Sequence, residues 1–151
     1  FAHQQGAVPT APPDQREAWW KELAAQTPRR VQALVQAVTD ADPEAPWQER
    51  KAAYLRVLEG ASREALAIAC ADKLDNALGL KAVLEREGAA GLRRFNAPLD
   101  ARIAYLKSVA DITERRWPEC PLVQPLRSAI SELEEVSRYA KPSRGQAEVP
   151  R

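Results

Sequence analysis

Asp72 and Asn76 are the two residues of this chain whose types and spacing best fit chemistry at a site. They lie four residues apart in a stretch with helical periodicity, so their carboxylate and carboxamide leave the same side of a helix. Ala69 and Ala65 stand one and two turns upstream, and their small size predicts open space. A carboxylate held rigidly in such a place binds a metal or another cation. A surface helix rich in Lys and Asp explains the same pattern without any ligand.

Helices must position these side chains, because apolar residues recur with helical spacing and never alternate as in a strand for long. The expected fold class is all-α, a compact bundle of about six helices. Start and stop signals predict helices at about 14–26, 28–38, 47–59, 62–87, 99–117 and 122–136. We expect 1–13 to be an irregular N-terminal arm, 14–140 a helical domain and 141–151 a flexible tail.

Single residues mark several of the helix boundaries. Thr27 before Pro28 is typical of an N-cap followed by the first helical residue, and Ser62 is predicted to cap the long central helix. Gly79 falls inside that central helix. It predicts either a kink or a division into two helices.

Composition argues against several classes of protein. The 151 residues carry 22 basic and 21 acidic side chains, a formal net charge of +1, which gives no electrostatic grip on nucleic acid. We expect no membrane association, because no apolar run approaches the ~20 residues of a span and no leader pattern is recognised. Two cysteines cannot form a disulfide framework, which predicts a cytoplasmic location. The chain begins at Phe1 and contains no Met, as a trimmed, processed or incompletely read sequence would.

Four short segments, in order, carry a resemblance to a known family. They are VQALVQAVTD at 31–40, PWQERK followed by AYL at 46–55, ADKLDN at 71–76 and RFNA at 94–97. With these segments the chain resembles the C-terminal part of an HD-domain phosphohydrolase, of the kind similar to alarmone (guanosine tetraphosphate) hydrolases. The likeness spans about positions 15 to 137, and it implies an HD-like helical bundle.

The resemblance implies a metal-dependent site that hydrolyses a nucleotide or related phosphoester, such as guanosine tetraphosphate. In that family a divalent metal, commonly manganese, is held by a His, a His-Asp pair and a later Asp, and it activates a water against the phosphate ester. The later Asp corresponds to Asp72, and the substrate-contacting Asn corresponds to Asn76. Arg50 and Lys51 are candidates to face a phosphate, although a solvated helix surface explains them equally well.

The chain departs from the family pattern at several positions. It contains one histidine, His3, where the family needs two upstream of the later Asp. Gln4 follows His3 where Asp is expected, and Ala7-Val8 stand where the family has its catalytic Glu-Asp. Asp75 replaces a customary His, and Leu78-Gly79 replace an Arg and a hydroxyl residue that often anchor phosphate.

Two explanations compete for the missing ligands. Either the helices that carried them preceded Phe1, or His3-Gln4 is what remains of the His-Asp pair, with His3 a metal ligand. A lone histidine in such an arm is otherwise an exposed, uninvolved residue. One carboxylate with at most one imidazole falls short of a catalytic ligand set, so these 151 residues are predicted to hydrolyse nothing. The alternative is a degenerate, non-catalytic helical module that binds a protein partner or small ligand; homo-oligomerisation stays open.

Overall fold

The computed structural model describes residues 13–39, 42 and 44–140, and its regular structure there is entirely helical. The predicted all-α class with six helices is confirmed. A 3₁₀ helix, Gly88–Arg94, connects the fourth and fifth α-helices. Of the predicted arm only Pro13 is described, and the predicted tail lies outside the described residues. The α-helices are α1 Pro13–Gln26, α2 Arg29–Ala37, α3 Trp47–Glu59, α4 Arg63–Glu87, α5 Leu99–Arg116 and α6 Val123–Ala140.

The long central helix α4 begins and ends where local chemistry dictates. The Ala65 backbone N–H donates to the Ser62 hydroxyl at 3.2 Å, which confirms the predicted N-cap. The helix runs through Gly79 as one element, so the predicted division does not occur. It stops at Gly88, whose φ of 62° lies in the left-handed region that glycine adopts without a Cβ penalty.

The prediction for the start of α2 was wrong by one residue. Pro28, and not Thr27, is the N-cap, and no side chain caps this helix. The Thr27 hydroxyl instead donates to the Leu23 carbonyl at 2.6 Å, where it satisfies one of the orphan carbonyls at the end of α1. Thr27 lies between the end of α1 and the start of α2, and its side chain caps α1.

The buried side chains form two clusters, both centred on α4 and α5. The aliphatic core joins α4, α5 and α6, whose alanines let the helices approach closely. The aromatic core joins α3, α4 and α5 and contains two tyrosines. Its fully buried members are Tyr54, Leu58, Leu66, Ala69, Tyr105, Val109 and Ile112.

Helices α1 and α2 pack more loosely than the rest. None of the described side chains of α2 is fully buried, and Val31 on its predicted apolar face is exposed. An exposed ion pair between Arg30 and Glu64 links α2 to the start of α4, and Val38 packs against the aromatic core. Within the described ranges, no helix has the length and apolar character needed to cross a membrane.

Candidate functional site

Asp72 lies on the exposed side of α4. Its side chain is 54% exposed, and its carboxylate oxygen Oδ2 accepts a hydrogen bond from the ammonium group of the adjacent Lys73. Asn76, one turn further along, is half-buried. The structure thus keeps the two residues on one side of a helix, as their spacing predicts, with the acid paired to a lysine.

The open space predicted over Ala65 and Ala69 does not exist, because both residues are buried although Asp72, on the same side of α4, is exposed. Ala65, Ala69, Lys73 and Ala77 follow one another at intervals of four and are all buried. Ala65 and Ala69 lie under the neighbouring helices. The strip that they begin leads to Lys73 rather than to Asp72.

Lys73 is the buried cation of this region, although its residue type predicted an exposed position on a surface helix. Its side chain is only 8% exposed. Its ammonium nitrogen lies 5.0 Å from the ring centre of Tyr54 and 5.5 Å from that of Tyr105. Aromatic rings attract a cation more strongly when both are shielded from water, so the two tyrosines partly replace the lost hydration. The interval of four from Ala69 was the available signal that Lys73 faces inward.

Helix α3 brings a second lysine to the same tyrosine. Trp47, Lys51 and Tyr54 stand at positions i, i+4 and i+7, so they share one helical face. The Lys51 ammonium lies 5.5 Å from the ring centre of Tyr105, and the Trp47 ring meets the same ring edge to face at 5.9 Å. Arg50 is half-buried on the neighbouring face of α3.

Arg102, near the start of α5, extends the arrangement. Its guanidinium carbon Cζ lies 4.6 Å from the ring centre of Phe95 and 6.0 Å from that of Trp47. Burial lowers the pKa of Arg102 below its ordinary value, because partial loss of water disfavours the charged form. We call this set of side chains the aromatic–cation cluster; it consists of Trp47, Tyr54, Phe95 and Tyr105 with Lys51, Lys73 and Arg102.

All four segments that carry the family resemblance contribute to this one region. Val38 ends the first segment's helix and packs against the aromatic core. Trp47, Lys73 and Phe95 come from the second, third and fourth segments, and they meet through Tyr105 and Arg102 of α5. Residues more than fifty positions apart are therefore neighbours in space. Of the predicted phosphate-facing pair, the structure places Lys51 in the cluster and Arg50 beside it.

The described residues do not fit the divalent metal that the resemblance implies. Within 13–39, 42 and 44–140, no three His, Cys, Asp or Glu side chains come together as a ligand group. The carboxylate of Asp72, the one ligand that the family pattern retains there, is already engaged by a lysine ammonium. His3, the other predicted metal ligand, lies outside the described residues.

Comparison with known proteins adds no family assignment. No protein-family model matches this sequence, and no curated protein matches it either.

Proposed function

We propose that this chain is an HD-domain-like helical module whose aromatic–cation cluster binds a small phosphoester of the nucleotide class. We further propose that these 151 residues bind such a ligand without hydrolysing it. The single observation that carries the proposal is the meeting of the four family-like segments in one region, where Tyr105 and Arg102 of α5 connect them. If the four resemblances had arisen independently by chance, their segments would not be expected to meet in one region of the fold.

The chemistry of the cluster suits such a ligand. The half-buried Lys51 and Arg102 supply positive charge for phosphate oxygens, and the half-buried rings of Trp47 and Phe95 offer surfaces on which a base stacks. Asn76 is half-buried on the same side of α4 as Asp72, and its carboxamide both donates and accepts hydrogen bonds. These groups recognise a phosphoester without requiring a metal.

The proposed lack of hydrolysis rests on the ligand set. The whole sequence contains one histidine, has Gln4 in place of the paired Asp and has no acid at Ala7-Val8. The carboxylate of Asp72 is paired with the Lys73 ammonium group, which makes its oxygens poorer ligands for a cation. Without these His, Asp and Glu residues, the chain has no recognised group to act as general base or to hold a metal that activates water.

Binding is tested by calorimetric titration of the purified 151-residue chain with guanosine tetraphosphate in the presence of a chelator. We expect saturable binding that Lys51→Gln weakens by about fivefold or more, because a charge-assisted contact to phosphate is lost. Lys107→Gln is the matched control, since Lys107 is an exposed lysine of α5 paired with Glu134. Absence of binding, or equal weakening by both variants, contradicts the proposal.

Hydrolysis is tested separately with the same chain and added manganese. The expected result is no release of phosphate or pyrophosphate over hours at a protein concentration that saturates the ligand. Manganese-dependent release, abolished by Asp72→Asn, would show that the chain is a metal-dependent phosphohydrolase and that Asp72 exchanges Lys73 for the metal.

A further inference from the structure

Arg102 is a half-buried arginine whose guanidinium lies against aromatic rings and meets no carboxylate of the described residues. Its Nε donates to the backbone carbonyl of Ala97 at 3.3 Å, and Phe95 and Trp47 lie against its charged end. Among the described residues no acid lowers the cost of placing this charge out of water, since burial alone accounts for its shifted pKa.

Arg127 on α6 shows what a half-buried arginine of this fold otherwise does. Its Nη2 donates to Asp111 at 2.8 Å and to Glu114 at 2.6 Å. Those carboxylates raise the pKa of Arg127, whereas burial lowers that of Arg102. Both residues are half-buried arginines, but among the described residues only Arg127 has acidic partners.

The fixed geometry of Arg102 suits an oxyanion. Since Nε is occupied by Ala97, the guanidinium plane is held in one orientation, and the rings restrict it further. The two terminal nitrogens remain as a planar set of donors, which matches two oxygens of a phosphate. Preorganisation of this kind strengthens binding because little side-chain freedom is lost when the ligand arrives.

We propose that Arg102 is an oxyanion-binding residue that holds a phosphate group through its two terminal nitrogens. This inference deepens the proposed function and rests on it for the identity of the natural ligand. It adds one specificity-determining residue that neither the spacing nor the resemblance indicated.

The test uses inorganic pyrophosphate as the probe, with the full chain, and chloride at equal ionic strength as the comparison. We expect pyrophosphate to bind the wild type and Arg102→Lys to weaken it about tenfold, because the charge remains but the planar pair of donors is lost. Arg93→Lys is the matched control, since Arg93 is an exposed arginine of the 3₁₀ helix that contacts no ring of the described residues. Equal affinities for all three proteins would overturn the inference.

A second measurement keeps the test independent of variant stability. In the wild type, the Nε–Hε resonance of Arg102 is expected to shift as pyrophosphate is added and to stay in place with chloride. A resonance unmoved at saturation overturns the inference. If Arg102→Lys weakens pyrophosphate while Lys51→Gln leaves guanosine tetraphosphate binding unchanged, the inference holds and the proposed function fails. If Lys51→Gln weakens guanosine tetraphosphate binding while Arg102→Lys leaves pyrophosphate binding unchanged, the proposed function holds and the inference about Arg102 fails.

Discussion

The two sides of α5 carry cations in different ways. Toward α6, exposed or half-buried cations meet carboxylates, as in Lys107 with Glu134 and Arg127 with Asp111. Toward α3, Arg115 also meets a carboxylate, that of Glu59, but Arg102 and Lys73 lie against aromatic rings, Lys73 with Asp72 as an additional partner. Exposed ion pairs contribute little to stability and need no ligand. A cation withdrawn from water destabilises the fold through its lost hydration, and an anionic ligand offsets that cost. The difference teaches that the aromatic–cation cluster is the place to look for a ligand.

The largest expected effect separates stability from binding. Leu126 is fully buried in the aliphatic core, so Leu126→Ala is expected to lower the free energy of unfolding by about 2–5 kcal/mol in urea titrations. Leu78→Ala, at an exposed leucine of α4, is the control, with an expected loss below about 1 kcal/mol. Both folded variants should bind pyrophosphate like the wild type. A large loss of affinity in Leu126→Ala would remove the distinction between the two sides of α5.

Replacing the two partners of the Asp72–Lys73 pair is expected to change the free energy of unfolding by different amounts. Asp72→Asn leaves the buried Lys73 ammonium without its carboxylate and is expected to cost about 1 kcal/mol, a value reduced by the exposure of Asp72. Lys73→Met places an apolar chain between the two tyrosine rings and leaves Asp72 hydrated, so its effect should stay within about 0.5 kcal/mol. Chemical unfolding measures both. A costlier Lys73→Met would mean that the ring contacts stabilise the fold more than the carboxylate does.

The aliphatic core makes a prediction about pH through Cys70. Burial raises the pKa of this thiol above its ordinary value of 9.0, although a hydrogen bond to Thr113 opposes the shift. Above about pH 9.0 the unfolded chain loses the thiol proton while the folded state keeps it. The free energy of unfolding therefore falls as the pH rises through this range. The free energy of unfolding of the wild type should fall more steeply between pH 8 and 10 than that of Cys70→Ala. Parallel curves would show that the thiol titrates normally.

The smallest effect is expected at the loosely packed α1–α2 side. Arg30 and Glu64 form an exposed pair, and the Glu64 pKa is lowered chiefly by a hydrogen bond to its own backbone, with Arg30 contributing less. A double-mutant cycle with Arg30→Gln and Glu64→Gln should give a coupling close to zero that disappears at about 1 M salt. A strong coupling that survives such salt would mean that α2 is held more firmly than its exposure suggests.

The sequence predicted the helices well because their signals are local. Ser62 caps α4 and Gly60 ends α3 through contacts within a few residues, which one sequence contains. The direction in which α4 faces was harder to predict, since an acid at position 72 suggested a site while the intervals of four lead to Lys73. Tyr105 gave no sign of its place in the cluster, because its partners lie on α3 and α4, far away in sequence. The same holds for the contact of Arg102 with Trp47 of α3.

The central claim is that a phosphoester binds at the aromatic–cation cluster, and a two-dimensional amide NMR titration with guanosine tetraphosphate tests it most directly. We predict that the Trp47 indole N–H and the backbone amides of Lys51, Lys73 and Arg102 shift together and saturate, while those of Lys107 and Arg127 stay in place. A spectrum unchanged at millimolar ligand, or shifts confined to the α5–α6 side, would contradict the account.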